Sequence, residues 1–231
     1  MGERDLLLIR TVVQTVASLA VIAVILCLAG DDWLWPQAWT YIGEVTVMSL
    51  AISGWLAFND PDLLRSRLTS PMKKGQRPFD RILVIVISLV FVGWIALMGL
   101  DARRFQWTSV PLWGQIVGAA LIAACMVLTW ETFRANSFAA PQVRIQAERA
   151  QTVISTGPYR YVRHPMYLGA LLFFIGSPLV LGSLWGLAGS AVLTLGMAVR
   201  AVGEEQVLRA GLPGYEDYMK ATPWRIIPGI W

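Results

Sequence analysis

Long stretches without a charge alternate along the chain with short polar ones. Residues 11–30, 82–100 and 110–130 contain no Asp, Glu, Lys or Arg. Each is close to the roughly 20 apolar residues that an α-helix needs to cross about 30 Å of hydrocarbon. Residues 38–58 have the same character apart from Glu44, and residues 166–199 are uncharged but too long for one crossing. Gly176-Ser-Pro and Leu181-Gly-Ser-Leu-Trp interrupt that last run, so the pattern predicts two short helices joined by a tight turn. The expected fold is therefore all-α and polytopic, with about six transmembrane helices and a C-terminal helical hairpin. Helices are required because lipid offers no partner to an exposed backbone N–H or C=O.

Composition agrees: 56% of the 231 residues are hydrophobic and the mean hydropathy is +0.56. Charge adds an orientation. Residues 59–81 hold Arg65, Arg67, Lys73, Lys74, Arg77 and Arg81, and residues 134–163 hold Arg134, Arg144, Arg149, Arg160 and Arg163. The stretch at 30–37 and the turn near 182 hold neither Lys nor Arg; only Arg103 and Arg104 dissent. By the positive-inside rule both termini and the two basic loops are cytoplasmic. The net charge of +4 follows from this asymmetry and suits a surface of anionic lipid. A nucleic-acid partner is excluded, because no basic-aromatic module is present to carry one. "AGDDWLWPQAW" reads as a short loop with interfacial tryptophans rather than a cleavage site. Cys27 and Cys125 fall inside apolar runs, and no metal-ligand spacing or disulfide framework appears. Glu44 lies about two turns from the outer end of its helix, close enough to an interface to reach water.

The chain divides near residue 110. The first part, 1–110, reads as transmembrane helices with few polar features, and the second, 111–231, carries the chemistry. "GPYRYVRHPMYLG", at 157–169, crowds Arg160, Arg163 and the only histidine, His164, against an apolar run. Pro165 suits the first turn of a helix, which sets His164 at the helix start beside unpaired N–H groups, where an anion is favoured. Tyr167 follows a turn later, and Gly169 removes a side chain where something must approach closely. An interfacial anchor would use the same residue types, and the stretch alone fits both readings. "MAVRAVGEEQVL" then sets Arg200, Glu204 and Glu205 at the far end of the hairpin. Arg200 and Glu204 are spaced to pair along one face, while Glu205 turns roughly 100° further. An antiparallel hairpin brings Arg163, His164, Tyr167, Arg200, Glu204 and Glu205 to one depth, which suits a zwitterionic ligand.

These residues carry a resemblance. GPYRYVRHPMYLG at 157–169, R-x-x-x-E-E at Arg200, Glu204 and Glu205, and "GYEDYMKATPWRIIPGIW" at 214–231 resemble the isoprenylcysteine carboxyl methyltransferase family of integral membrane enzymes, in its bacterial branch. Weaker matches are "NDPDLLRSRL" at 59–68, "LDARRF" at 100–105 and "RANSF" at 134–138. R-H-P-x-Y alone is shared with membrane sterol reductases, which would use NADPH. The resemblance implies S-adenosylmethionine as methyl donor, bound in a cytoplasmic pocket, and its bacterial branch implies a bacterial inner membrane as the location. It implies Arg200 and Glu205 as catalytic residues. The cofactor-binding residues it implies are Val153, Gly157, Tyr159, Arg163, His164, Pro165, Tyr167, Gly169 and Glu204. The implied acceptor is lipophilic and reaches the site from the bilayer, with an isoprenylcysteine-like carboxylate first and a phospholipid amine second. In physical terms, His164 and the helix start would hold the donor's carboxylate, and Glu204 or Glu205 its ammonium. Arg200 would orient an acceptor carboxylate, whereas an amine acceptor would need a base such as Glu205.

Overall fold

A computed structural model describes residues 2–69 and 78–231. Among these the secondary structure is helical throughout. The long helices are α1 (Glu3–Gly30), α2 (Pro36–Asn59), α4 (Pro78–Gly99), α5 (Leu112–Ala135) and α7 (Trp185–Gly211). The short ones are α3 (Pro61–Arg67), α6 (Pro165–Leu181) and α8 (Tyr215–Ala221). Lys73, Lys74 and Arg77, which carry part of the charge argument, lie outside the described residues.

Five helices are long and apolar enough to cross a membrane, namely α1, α2, α4 (continued to Phe105), α5 and α7. The chain is an integral membrane protein. The expected sixth crossing, α6, has 17 residues and spans about 26 Å at 1.5 Å per residue. The hairpin itself is present, but its arms are unequal. After Gly182, in the left-handed region at φ +88°, α7 runs 27 residues and continues past Val199 as far as Gly211. Arg200, Glu204 and Glu205 therefore stand on the body of α7.

One end of the bundle is fastened through a buried acid. α4 passes into a π-helical turn, Leu100–Phe105, which buries Asp101 completely. Its carboxylate accepts bonds from Thr108 N–H (3.0 Å), Thr108 Oγ1 (2.7 Å), Ser183 Oγ (2.6 Å) and Trp185 N–H (3.1 Å). The α6–α7 turn is thus tied to the end of α4. At the same end Arg103 Nε donates to Asp32 at 2.6 Å, so one of the two dissenting arginines is neutralised locally.

Close backbone approach sets the rest. A Cβ built on Gly118 of α5 would lie 2.7 Å from Gly176 O of α6, and one on Gly176 would meet Gly118 O at the same distance. Small residues at such a crossing let two helices touch through their backbones, as packing within lipid favours. The core around Trp94, Ile95, Met98, Tyr41, Ile122 and Phe174 fills the space between α1, α2, α4, α5 and α6. The opposite end holds α3, the segment between α5 and α6, and α8. It carries the candidate site.

Candidate functional site

The site starts from Glu205. Only 3% exposed, its carboxylate accepts from Arg163 Nε (2.7 Å) and Arg225 Nε (2.9 Å), with His164 Nε2 at 3.3 Å. A buried carboxylate is tolerated only when paired and hydrogen-bonded on this scale. Arg163 is equally committed, since its Nη1 donates to the carbonyls of Thr222 and Pro223, both at 2.7 Å.

The C-terminal segment completes this layer. The backbone N–H of Arg163 donates to Trp224 O (2.9 Å) and that of His164 to Arg225 O (2.8 Å). Further on, the N–H groups of Arg225, Ile226 and Ile227 converge on Trp231 O, and the Arg225 guanidinium lies 5.0 Å over the Trp231 ring. These two N–H groups precede α6; of the helix's own first N–H groups, that of Tyr167 turns back to His164 O at 3.0 Å. Residues 222–231 thus run beside the turn that leads into α6.

Glu204 has a different role. Its Oε2 accepts from Tyr167 OH at 2.7 Å and lies 3.9 Å from His164 Nδ1. The imidazole stacks on the Tyr167 ring, centroids 5.2 Å apart and planes 8° from parallel. Both ring nitrogens of His164 thus face carboxylates. Arg200 does not form the expected ion pair with Glu204. Its Nε donates to Asp80 Oδ1 at 3.1 Å and its Nη2 to Pro141 O at 2.7 Å, because the first turn of α4 packs beside that part of α7.

Above these residues lies a cavity of about 330 Å³, within the usual size range of small-molecule sites. Val153, Tyr159, Arg163, His164, Pro165, Tyr167, Glu204 and Arg200 line it. Among the expected site residues, Gly157, Gly169 and Glu205 do not. Gly157 is needed for a left-handed turn at φ +57°, where an L side chain would be strained. Gly169 faces Cys125 and Thr129 of α5, so the element it approaches is a helix. Leu212, Tyr215 and Tyr218 add an apolar wall. Burial raises the phenols of Tyr159, Tyr215 and Tyr218 above their ordinary value, keeping them neutral donors. Tyr218 OH donates to Tyr159 O at 2.9 Å, and Asn136 Nδ2 donates to the Tyr159 oxygen at 2.7 Å.

A second cavity, of about 500 Å³, lies between the start of α4 and the end of α7. Phe79, Leu83, Val199, Val202 and Val207 make it largely apolar, and Asp80 stands in its wall. The two cavities share Val143, Arg200 and Glu204. Among the described residues no group of three His, Cys, Asp or Glu is placed to hold a metal.

Several contributors were not assigned from the sequence. Arg225 sat inside a recognised C-terminal stretch without a role, and Arg67 inside "NDPDLLRSRL". Asp80 had no local signal at all. The architecture is that of a helical integral membrane protein with a buried polar site at one end of its bundle. Residues 113–211 match the family model of the phospholipid methyltransferases. The match runs from α5 to the end of α7, somewhat less than half of the chain. That segment is similar to the integral membrane methyltransferases. No curated protein matches the chain.

Proposed function

We propose that the chain transfers a methyl group from S-adenosylmethionine to the polar end of a lipid held in the bilayer. The observation that carries this reading is the pair of cavities with a common wall at Arg200 and Glu204. One is the more polar of the two and is walled by Leu208, Leu212, Tyr215 and Tyr218; the other is largely apolar and lies between α4 and α7. A water-soluble donor and a membrane-dissolved acceptor need such an arrangement. In this reading residues 111–231 form the methyltransferase core, with Arg67 and Asp80 supplied from the first part of the chain. The basic end of the bundle is cytoplasmic, so the donor arrives from that side.

The residues of the first cavity suit the donor. Tyr159, Tyr215, Leu212 and Val153 offer flat and apolar contacts to an adenosine, and Glu204 offers a carboxylate to an ammonium. The donor supplies an electrophilic methyl group on a sulfonium, which an acceptor lone pair attacks as the carbon–sulfur bond breaks. The protein's contribution is positioning, in line and near contact distance. His164, between two acids, is suited to orienting Glu204 rather than to binding the donor's carboxylate. Glu205, held by three cationic or donor groups and away from both cavities, positions Arg163, His164 and the C-terminal segment. It is not the base.

Charge at the shared wall favours an amine acceptor. Asp80 and Glu204 both stand in that wall, and Arg200 already spends two donors on Asp80 and Pro141. An ammonium headgroup is drawn to such a wall, and it must lose a proton before its nitrogen can attack. The similarity to phospholipid methyltransferases supports the same choice. A carboxylate acceptor, of the isoprenylcysteine kind, is the second reading, supported by Arg200 at the wall with a planar fork suited to carboxylate.

The deciding experiment gives purified protein in mixed bilayers S-adenosylmethionine labelled on the methyl group. Label in an aminophospholipid that survives mild alkali is the expected result. Label released by alkali as methanol would identify a methyl ester and favour the carboxylate reading. No transfer to any lipid would overturn the proposal.

A further inference from the structure

We infer that Arg67 is the anion-binding residue of the first cavity and receives the carboxylate of the donor's amino-acid moiety. The inference rests on the donor reading above. Arg67 is the last residue of α3, a seven-residue helix started by Pro61 and capped by the Asp60 carboxylate, which accepts from Leu63 N–H at 3.0 Å. Its guanidinium lies 4.6 Å over the Phe133 ring, and Nη1 donates to Ala139 O at 2.8 Å. The residue lines the cavity beside Asn136, Tyr159 and Met166.

What sets Arg67 apart is its lack of a counter-charge. Arg163 is paired with Glu205 and Arg200 with Asp80. Among the described residues no carboxylate lies within ion-pair distance of Arg67. Its partners are a carbonyl and a ring face, which orient a cation without neutralising it. Burial pulls this guanidinium down to about 10, so it remains charged at neutral pH while poorly solvated. A desolvated cation of this kind is stabilised by an anionic ligand.

The cavity as a whole points the same way. Among the described residues that line it, Glu204 is the one acid, and of the arginines Arg163 and Arg200 already hold carboxylates. Several neighbouring groups are already engaged. Both His164 nitrogens face acids, and the N–H groups of Arg163 and His164 serve the C-terminal segment. A zwitterionic amino-acid end therefore finds its ammonium partner in Glu204 and its carboxylate partner in Arg67. The planar fork gives Arg67 the geometry to bind a carboxylate with two parallel bonds.

The test compares two ligands on full-length protein in detergent. S-adenosylhomocysteine carries the amino-acid end, and 5′-methylthioadenosine lacks it. Calorimetry is run on the wild type, Arg67→Met and Arg67→Lys, with thermal unfolding of each. Arg67→Met should weaken S-adenosylhomocysteine about 10- to 100-fold, leave 5′-methylthioadenosine unchanged, and be partly rescued in Arg67→Lys. Unchanged affinity for S-adenosylhomocysteine overturns the inference and leaves the methyl-transfer reading standing. Equal weakening of both ligands also overturns it, because Arg67 would then only pin the segment at Ala139. Unchanged S-adenosylhomocysteine affinity with a raised acceptor KM would move the anion to the acceptor. A wild type that binds neither ligand would sink the donor reading itself.

Discussion

Arg200 on α7 donates from Nε to Asp80 Oδ1, 3.1 Å away at the start of α4, across 120 residues of sequence. Each side chain is only 13% exposed. The pair closes the wall between the two cavities, and Pro141 O fixes the guanidinium from a third direction.

Arg200→Lys keeps the charge and cannot hold both Asp80 and Pro141 O in that plane. Turnover is expected to fall about tenfold or more, the equivalent of one lost charge-assisted bond. Donor affinity should change by no more than about threefold on this scale, because the remaining walls of the first cavity are untouched. Methyl-transfer rate and donor binding measured on one preparation check it. Near-normal turnover in the lysine variant would reduce Arg200 to a helix tie.

Glu205→Gln tests a different role at the next turn. It strands Arg163 and Arg225 without their carboxylate in a buried layer. Breaking a buried ionic group from one side costs about 3–5 kcal/mol. The variant should melt earlier, and its C-terminal segment should become sensitive to protease near Arg225. Unaltered thermal unfolding together with lost turnover would instead return Glu205 to chemistry.

Asp101→Ala should damage the other end of the molecule. Thr108, Ser183 and the Trp185 N–H lose their common acceptor. Each buried group left unsatisfied costs about 1–3 kcal/mol. Denaturation in mixed micelles should show a clear loss of stability. Donor affinity, read at the opposite end of the bundle, should hold; a selective loss of binding with full stability would contradict the division of labour.

Orientation is open to labelling. Cys27 and Cys125 are buried, so an introduced cysteine reports alone. Tyr161 is 66% exposed at the basic end and Leu34 is 85% exposed at the other. An impermeant thiol reagent outside intact cells should modify Leu34→Cys and spare Tyr161→Cys. The reverse pattern would invert the protein and remove cytoplasmic access to the donor site.

Hydropathy alone determined the class of this protein, because the length of an uncharged run is a local quantity that the bilayer reads directly. The hairpin was legible for the same reason: Gly182 and its neighbours break the run, and an antiparallel return must bring His164 near Glu205. Partner choice was not legible. The i, i+4 spacing proposed Glu204 for Arg200, but a partly exposed pair on one helix gains little, and the packing of α4 on α7 brought Asp80 closer. Nothing in the stretch before Pro165 told that the C-terminal segment would pair with the N–H groups of Arg163 and His164. Arg67, one of several basic residues in a polar stretch, differed from the others only after folding left it in a cavity wall with no carboxylate at ion-pair distance among the described residues. Local sequence carries burial and periodicity; which charges meet depends on helices brought together from distant parts of the chain, and only the tertiary structure decides that.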